Sequence, residues 1–291
     1  MLSASETASF GADGFVTVDS LIDAGLIDPL KERFERLFRG DFETGTAPDE
    51  VNWQEGRSDP GLARQICNGW KADRLIASVV LDARLGEAAA GLAGWPGARI
   101  VQDNVIWKPP GARSLGFHRD NAYLAWYTPT EMLSCWIALD DTAAAGGTME
   151  LARGSHRWST GADPMGEFHD PEDYQATVRA AAAAAGVELD IAAVEVAAGG
   201  GAFHHGWTWH GSGPNRSGRH RRSLVLHCAS SEARFDRAGF GEGNGPVYSR
   251  YARLADDEMD ENHFPILWRS DGYRTPGIWD AGRASTGTSM S

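Results

Sequence analysis

The sequence predicts an α+β protein, with a helical N-terminal third followed by a β-sandwich or barrel. Three observations point to this. Apolar residues recur at helical spacing before Pro96. After Pro96 and Gly97 the chain breaks into short segments rich in β-branched and aromatic residues, each bounded by Gly, Pro, Asn or Asp. A single alanine-rich stretch interrupts those segments. Helices first and strands after is the order of a protein whose helices are segregated to one side of a sheet core.

The elements follow in order. Between Leu26 and Gly40, Ile27, Leu30, Phe34, Leu37 and Phe38 fall on one helical face, and Gly40 can stop the helix. A second helix is expected from about Ala72 to Ala93. The segments ARIVQDNVIWK, MLSCWIAL, AAVEVAAG, GAFHHGWTWHG and RSLVLHC read as strands. PEDYQATVRAAAAAAG, from Pro171 to Gly186, reads as one inserted helix whose first acidic residues suit the helix dipole. The tail AGRASTGTSMS is small and polar and is expected to fray.

Bulk composition excludes several classes of function. The chain has 291 residues, 42% of them hydrophobic, and a net charge of −13, so its field repels polyanions and nucleic acid is not an expected partner. Cys67, Cys135 and Cys228 are odd in number and widely spaced. They read as reduced thiols of a cytoplasmic protein, without a disulfide framework or zinc knuckle. The N-terminus has no basic segment followed by an apolar core, and no apolar run approaches the ~20 residues that span a bilayer. Export and a membrane partner are not expected. GxSxG and P-loop patterns are absent, and GFGEGNG reads as a glycine-rich turn.

The chemistry-bearing residues lie in the strand region. In GFHRDNAY, His118 and Asp120 are two residues apart, and on an extended strand such side chains share a face. In GWTWHGSG, His210 stands between tryptophans and a turn. Two histidines and one carboxylate can occupy one face of an octahedral metal and leave the other positions open. After His210 a turn dense in Gly, Pro, Asn and Ser leads to a strand near Arg221, and an antiparallel return would set that strand beside the first. The Arg221 guanidinium would then suit the distal end of a dicarboxylate whose other end chelates the metal. Strand parity turns Arg222 to the opposite face and leaves Arg219 in the turn.

These motifs, HRD at 118–120, SCWIALDD, GGTMELARGSHRW and FHHGWTWHGSGPNRSGRHRRSLVLH, resemble the phytanoyl-CoA dioxygenase family of Fe(II)/2-oxoglutarate-dependent oxygenases. The likeness runs over about Val101 to Cys228. Weaker similarity extends to GFVTVDSLID and to MDENHFPILWRSDGYRTP. The resemblance implies a double-stranded β-helix (jelly-roll, cupin-like) core flanked by N-terminal helices. It implies one oxygenase domain over 1–291, with a helical scaffold at about 15–95, the core at 98–230, the insertion near 171–186 and a C-terminal extension at 231–291.

It further implies that His118, Asp120 and His210 bind Fe(II) and are the catalytic centre. Arg221 would anchor the distal carboxylate of 2-oxoglutarate with help from Ser212, while Trp136 and Asn104 border that cosubstrate. Arg119 stands where glutamine is commoner in the family, pointing away from the metal. In related halogenating enzymes a small residue replaces the carboxylate, so Asp120 implies hydroxylation or another oxidation.

The activity implied is hydroxylation of an unactivated C–H bond of a small organic metabolite, with O2 consumed and succinate and CO2 released. The protein would be a monomer or homodimer. Two rivals keep the same fold: a cupin-type metalloenzyme that does not use 2-oxoglutarate and has no need of Arg221, and a non-catalytic metabolite-binding protein. Around the site, Trp207 and Trp209 read as packing, and His204 and His205 face opposite sides, in supporting or core roles. Tyr123, Trp126 and Tyr127 are candidates for the entrance. The inserted helix and FPILW (264–268) stand where a lid could close.

Overall fold

The computed structural model describes residues 2–158 and 168–277. The helical N-terminal part comprises α1 (Ala4–Asp13), α2 (Ile27–Phe38), α3 (Arg74–Val80) and α4 (Ala83–Ala93). Interleaved with it are β1 (Phe15–Val18), β2 (Glu50–Val51) and β3 (Arg64–Cys67). The long β4 (Gly97–Lys108) opens the strand region. It continues with β5 (Leu115–His118), β6 (Tyr127–Thr128), β7 (Leu133–Ala138) and β8 (Glu150–Ala152), then α5 (Ala176–Ala185). After α5 come β9 (Ile191–Ala193), β10 (Gly201–His205), β11 (His210–Ser212), β12 (Arg221–Ser230) and β13 (Arg234–Phe235). The short α6 (Gly245–Tyr248) and β14 (Ile266–Arg269) complete the described elements.

Two sheets build the jelly-roll core. The larger runs β1-β10-β7-β12-β4-β3-β2 with β14 beside β4, and the smaller runs β5-β11-β8-β9. All pairings are antiparallel. Alternation along the strands divides the larger sheet by face. On one face Ile66, Val105, Leu224, Leu226 and Ile137 pack with the helices, among them Leu30, Phe34 and Leu37 of α2. On the other face lie Cys67, Asn104, Val225, His227 and Trp136, which line a cavity between the two sheets. The apolar face holds the fold together, and the other face is left for chemistry.

Several sequence expectations need correction. The helix expected over Ala72–Ala93 is two helices, because Asp73 and Asp82 each accept backbone N–H groups at a helix start and divide the stretch. The inserted helix begins at Ala176, five residues after Pro171, and ends at Gly186 in the left-handed region. Of AAVEVAAG only Ala192 and Ala193 are in a strand, the short β9, and GAFHHGWTWHG divides into β10 and β11, which belong to different sheets. GFGEGNG runs into the four-residue α6. Helix α1, closed by a capping box between Ser3 and Glu6, escaped detection because it buries only Phe10 and so shows no apolar stripe. FPILW is not a lid: β14 pairs with β4, and Phe264 and Leu267 are fully buried. The tail AGRASTGTSMS lies outside the described residues.

A second aromatic cluster forms under the C-terminal extension. Trp126, fully buried, stacks on Tyr248 at 4.7 Å, and its indole N–H donates to Asn244 Oδ1 at 2.6 Å. Trp126→Ala is expected to cost about 3–5 kcal/mol of stability, read as a lower urea midpoint. All three cysteines are buried and free. Among the described residues no helix is long and apolar enough to cross a membrane.

Candidate active site

His118 is the last residue of β5, His210 the first of β11, and the two are paired directly across the smaller sheet. Their rings lie 4.2 Å apart. Asp120 is not on the strand: it opens a short 3-10 turn. Arg119 between them is extended, at φ −122° and ψ 129°, so the carboxylate still turns to the side of His118. Arg119 itself packs over Trp207 and Trp209, away from the cluster.

The histidines are pre-oriented by the backbone. His118 Nδ1 is 3.0 Å from the Gly116 carbonyl and His210 Nδ1 is 2.9 Å from the Thr208 carbonyl. A carbonyl only accepts, so each Nδ1 carries the proton and each Nε2 keeps its lone pair. Both Nε2 atoms converge on Asp120 Oδ1, at 3.6 Å from His118 and 3.4 Å from His210. The three ligand atoms lie within 4.8 Å of one another, and a single metal ion could be held there. Burial resists ionisation of Asp120, but His210 beside it, with His118 and His204, holds its carboxyl well below the usual range.

The other carboxylate oxygen is held from the larger sheet. Asp120 Oδ2 accepts from Ser134 Oγ at 2.8 Å and lies 3.2 Å from His204 Nε2. Ser134 is 2.8 Å from His227 Nδ1, and the Asn104 amide donates to His227 Nε2 at 2.9 Å. The chain continues from Gln102 Nε2 to Asn104 Oδ1 at 2.9 Å. Orientation of a ligating carboxylate by such partners tunes metal affinity. His204 therefore supports the cluster, while His205 faces the other way, towards Glu131. Sequence reasoning missed Ser134, His227 and Gln102. Strand parity held the signal for His227, which shares a face with Arg221 six residues earlier.

Arg221 reaches this cavity by a different route from the one expected. β11 and β12 are not hairpin partners: β11 pairs with β5 and β8, and β12 with β4 and β7. The turn between them crosses from one sheet to the other, and Arg221 faces the cluster across the cavity. Its side chain is 3% exposed. Nε and Nη2 donate to the Gly147 carbonyl, Nη2 also to Ser212 Oγ, and Nη1 to Ser223 Oγ. Those acceptors are neutral, and among the described residues no carboxylate pairs with it. Burial alone brings its pKa down to about 10.

Ser212 stands beside this guanidinium and also accepts from Lys108 Nζ at 2.5 Å. Lys108, another residue the sequence did not flag, is fully buried, and burial together with Arg221 pushes its pKa well below normal. Arg222 turns to the opposite face and pairs with Asp140. Gly147 takes φ +64° and its carbonyl is the shared acceptor, so a side chain there would be strained and would meet the Gly213 carbonyl.

The cavity holds about 380 Å³ and brings together all seven residues expected at the site: His118, Asp120, His210, Arg221, Ser212, Trp136 and Asn104. Tyr123 lines it. Trp126 and Tyr127 do not; both are fully buried in the aromatic cluster. Trp209 packs with Phe117 and Val178 behind the site. Phe168 stands edge-on to His118 at 4.8 Å.

The chain is similar to the probable alpha-ketoglutarate-dependent hypophosphite dioxygenase of Stutzerimonas stutzeri, 24% identical over 229 residues and 76% of each protein. It is 28% identical over 163 residues to the ectoine dioxygenase of Bordetella parapertussis, covering 54% of this chain and half of that protein. Among solved structures, the non-heme alpha ketoglutarate dependent epimerase SnoN from nogalamycin biosynthesis, in its complex with Fe3+, alpha ketoglutarate and nogalamycin RO, aligns with a TM-score of 0.69. That alignment covers 91% of this chain and 98% of SnoN at 20% identity. The non-heme alpha ketoglutarate dependent carbocyclase SnoK from the same biosynthesis aligns equally well, at 22% identity. The sequence profile of the family described as Phytanoyl-CoA dioxygenase (PhyH) matches residues 10–223. With the two-sheet core and the His–Asp–His cluster in place, this chain belongs to the phytanoyl-CoA dioxygenase family.

Proposed function

We propose that the protein is an Fe(II)- and 2-oxoglutarate-dependent dioxygenase that hydroxylates an unactivated C–H bond of a small organic metabolite. The observation that carries this reading is Arg221, a buried cation without an anionic partner among the described residues, in the same cavity as the His–Asp–His cluster. A buried charge is costly unless paired, so this guanidinium calls for an anionic ligand. A dicarboxylate with one end on the metal and the other on Arg221 meets that demand.

The donor set fits iron. Two neutral imidazoles and one carboxylate on a single face leave open positions for a chelating cosubstrate and O2. His118, Asp120 and His210 would hold the metal. Iron with 2-oxoglutarate would supply the oxidation, coupling O2 reduction to release of succinate and CO2 and to transfer of an oxygen atom to the substrate. The chain's own contribution is positional. Ser134 and His204 fix the Asp120 carboxylate, while Trp136 and Val225 give the floor near Arg221 an apolar surface that excludes water. Asp120 supports oxygen transfer over halogenation, because it takes the coordination position that a halide would need.

The direct test is to supply Fe(II), 2-oxoglutarate and O2 with candidate substrates and measure succinate against oxidised product. One succinate per product is expected. Turnover without 2-oxoglutarate that survives Arg221→Ala would overturn the assignment and favour a cupin-type enzyme. No O2 uptake with any candidate would favour a binding protein.

A further inference from the structure

The cavity has a second pole. Strand parity places Glu50 and Asn52 of the β2 segment and Gln65 and Cys67 of β3 on the face that carries Asn104 and His227, and all of them line the same space. Most polar groups at this end satisfy one another. Asn52 donates to Gln65 Oε1 and accepts from the Gln65 backbone N–H. Gln102 Oε1 accepts from Asn244 and Tyr248, and its amide donates to Asn104. Glu50 differs in charge: its carboxylate accepts from the Cys67 thiol, and burial together with Asp49 pushes its pKa up. It forms no ion pair among the described residues, and its neighbours are Cys67, Asp49 and Arg250. Arg250 is taken by Asp49, 2.7 Å away. Asp49 in turn is held by Lys71 at 2.8 Å.

Glu50 and Arg221 stand at opposite ends. β2 lies three strand spacings from β12, and the Cys67–Asn104 register sets Glu50 four residues along β4 from Lys108, which faces Arg221. Their backbones are therefore roughly 20 Å apart across the sheet. A five-carbon dicarboxylate bound at Arg221 cannot reach Glu50, so the carboxylate is left to the substrate.

We propose that Glu50 is the specificity-determining residue at the substrate end of the cavity, and that the substrate carries a protonated amine that pairs with it. This rests on the oxygenase reading, which gives the Arg221 end to the cosubstrate. A carboxylate without an ion-pair partner among the described residues, set in a concave, half-buried wall, selects a cation and rejects an anion by repulsion. The fixed carboxamides around it offer donors and acceptors to the uncharged polar groups of the same molecule.

The test uses the full chain loaded anaerobically with Fe(II) and 2-oxoglutarate. Binding is measured by thermal shift and calorimetry for two matched probe sets: cyclohexylamine, cyclohexanol and cyclohexanecarboxylate; and glucosamine, glucose and glucuronate. The amine of at least one set should bind tightest. Glu50→Gln should weaken it about tenfold to hundredfold and abolish the preference. Glu50→Asp should keep the preference, and Glu50→Lys should shift it to the carboxylate. Equal or tighter binding of the neutral or acidic probes, an amine preference that survives Glu50→Gln, or no amine binding at all would overturn the proposal. The stabilisation by 2-oxoglutarate alone, lost in Arg221→Ala and untouched by Glu50→Gln, reports separately on the oxygenase reading.

Discussion

Replacing Asp120 with alanine is expected to lower iron affinity at least about 100-fold and to leave turnover near background. Asp120 is the anion of the cluster, and its two oxygens have different duties. Oδ1 faces both imidazole Nε2 atoms, while Oδ2 is gripped by Ser134 and His204 from the other sheet. Removal takes away the proposed metal ligand and also strips Ser134 and His204 of their acceptor in a buried setting, a loss of about 1–3 kcal/mol for such groups. Asp120→Asn keeps the shape and replaces the charge, so it separates the two effects. It should retain the fold and still fail to hold iron. Iron content after gel filtration, measured beside thermal stability, checks this. Wild-type iron content in either variant would show that the metal sits elsewhere.

Arg221→Ala should leave iron content unchanged and raise the KM for 2-oxoglutarate about tenfold to hundredfold, the worth of a charge-assisted bidentate contact. Arg221→Lys should not restore it, because an ammonium cannot present the planar fork. The stability of the unliganded protein is the second readout. Arg221 is buried among neutral acceptors, and burial already draws its pKa down to about 10, so the charge is a burden until an anion arrives. Truncation should therefore cost little stability without ligand while removing most of the stabilisation that 2-oxoglutarate confers. A large loss of stability in the unliganded variant, with an unchanged KM, would make Arg221 a structural residue.

The cluster was legible because its residues sit in short, chemically distinctive motifs. HRD and WTWHGSG keep their meaning whether Asp120 lies on a strand or, as it does, in the turn after one, since the extended Arg119 preserves the facing. What the sequence concealed was which strands neighbour which. A Gly- and Asn-rich turn between His210 and Arg221 looks like a hairpin, yet the chain uses it to change sheets. The same limit hid Ser134 and Lys108, whose importance depends on strands distant in sequence, and left His227 with only its shared face with Arg221 as a signal. Glu50 was invisible for a related reason: β2 is two residues long and gains its meaning only from pairing with β3. Asp73 and Asp82, by contrast, were ordinary N-cap signals inside an alanine- and leucine-rich run, and reading them would have divided that helix correctly.

One cavity is expected to hold iron on His118, Asp120 and His210, with 2-oxoglutarate between that iron and Arg221. The most direct measurement mixes the metal-free protein anaerobically with Fe(II) and 2-oxoglutarate and records the visible spectrum of wild type, Asp120→Ala and Arg221→Ala. A weak charge-transfer band that appears in the wild type and is lost or weakened in both variants is the predicted result. Iron binding without any such band in the wild type would show that the protein is not a 2-oxoglutarate oxygenase.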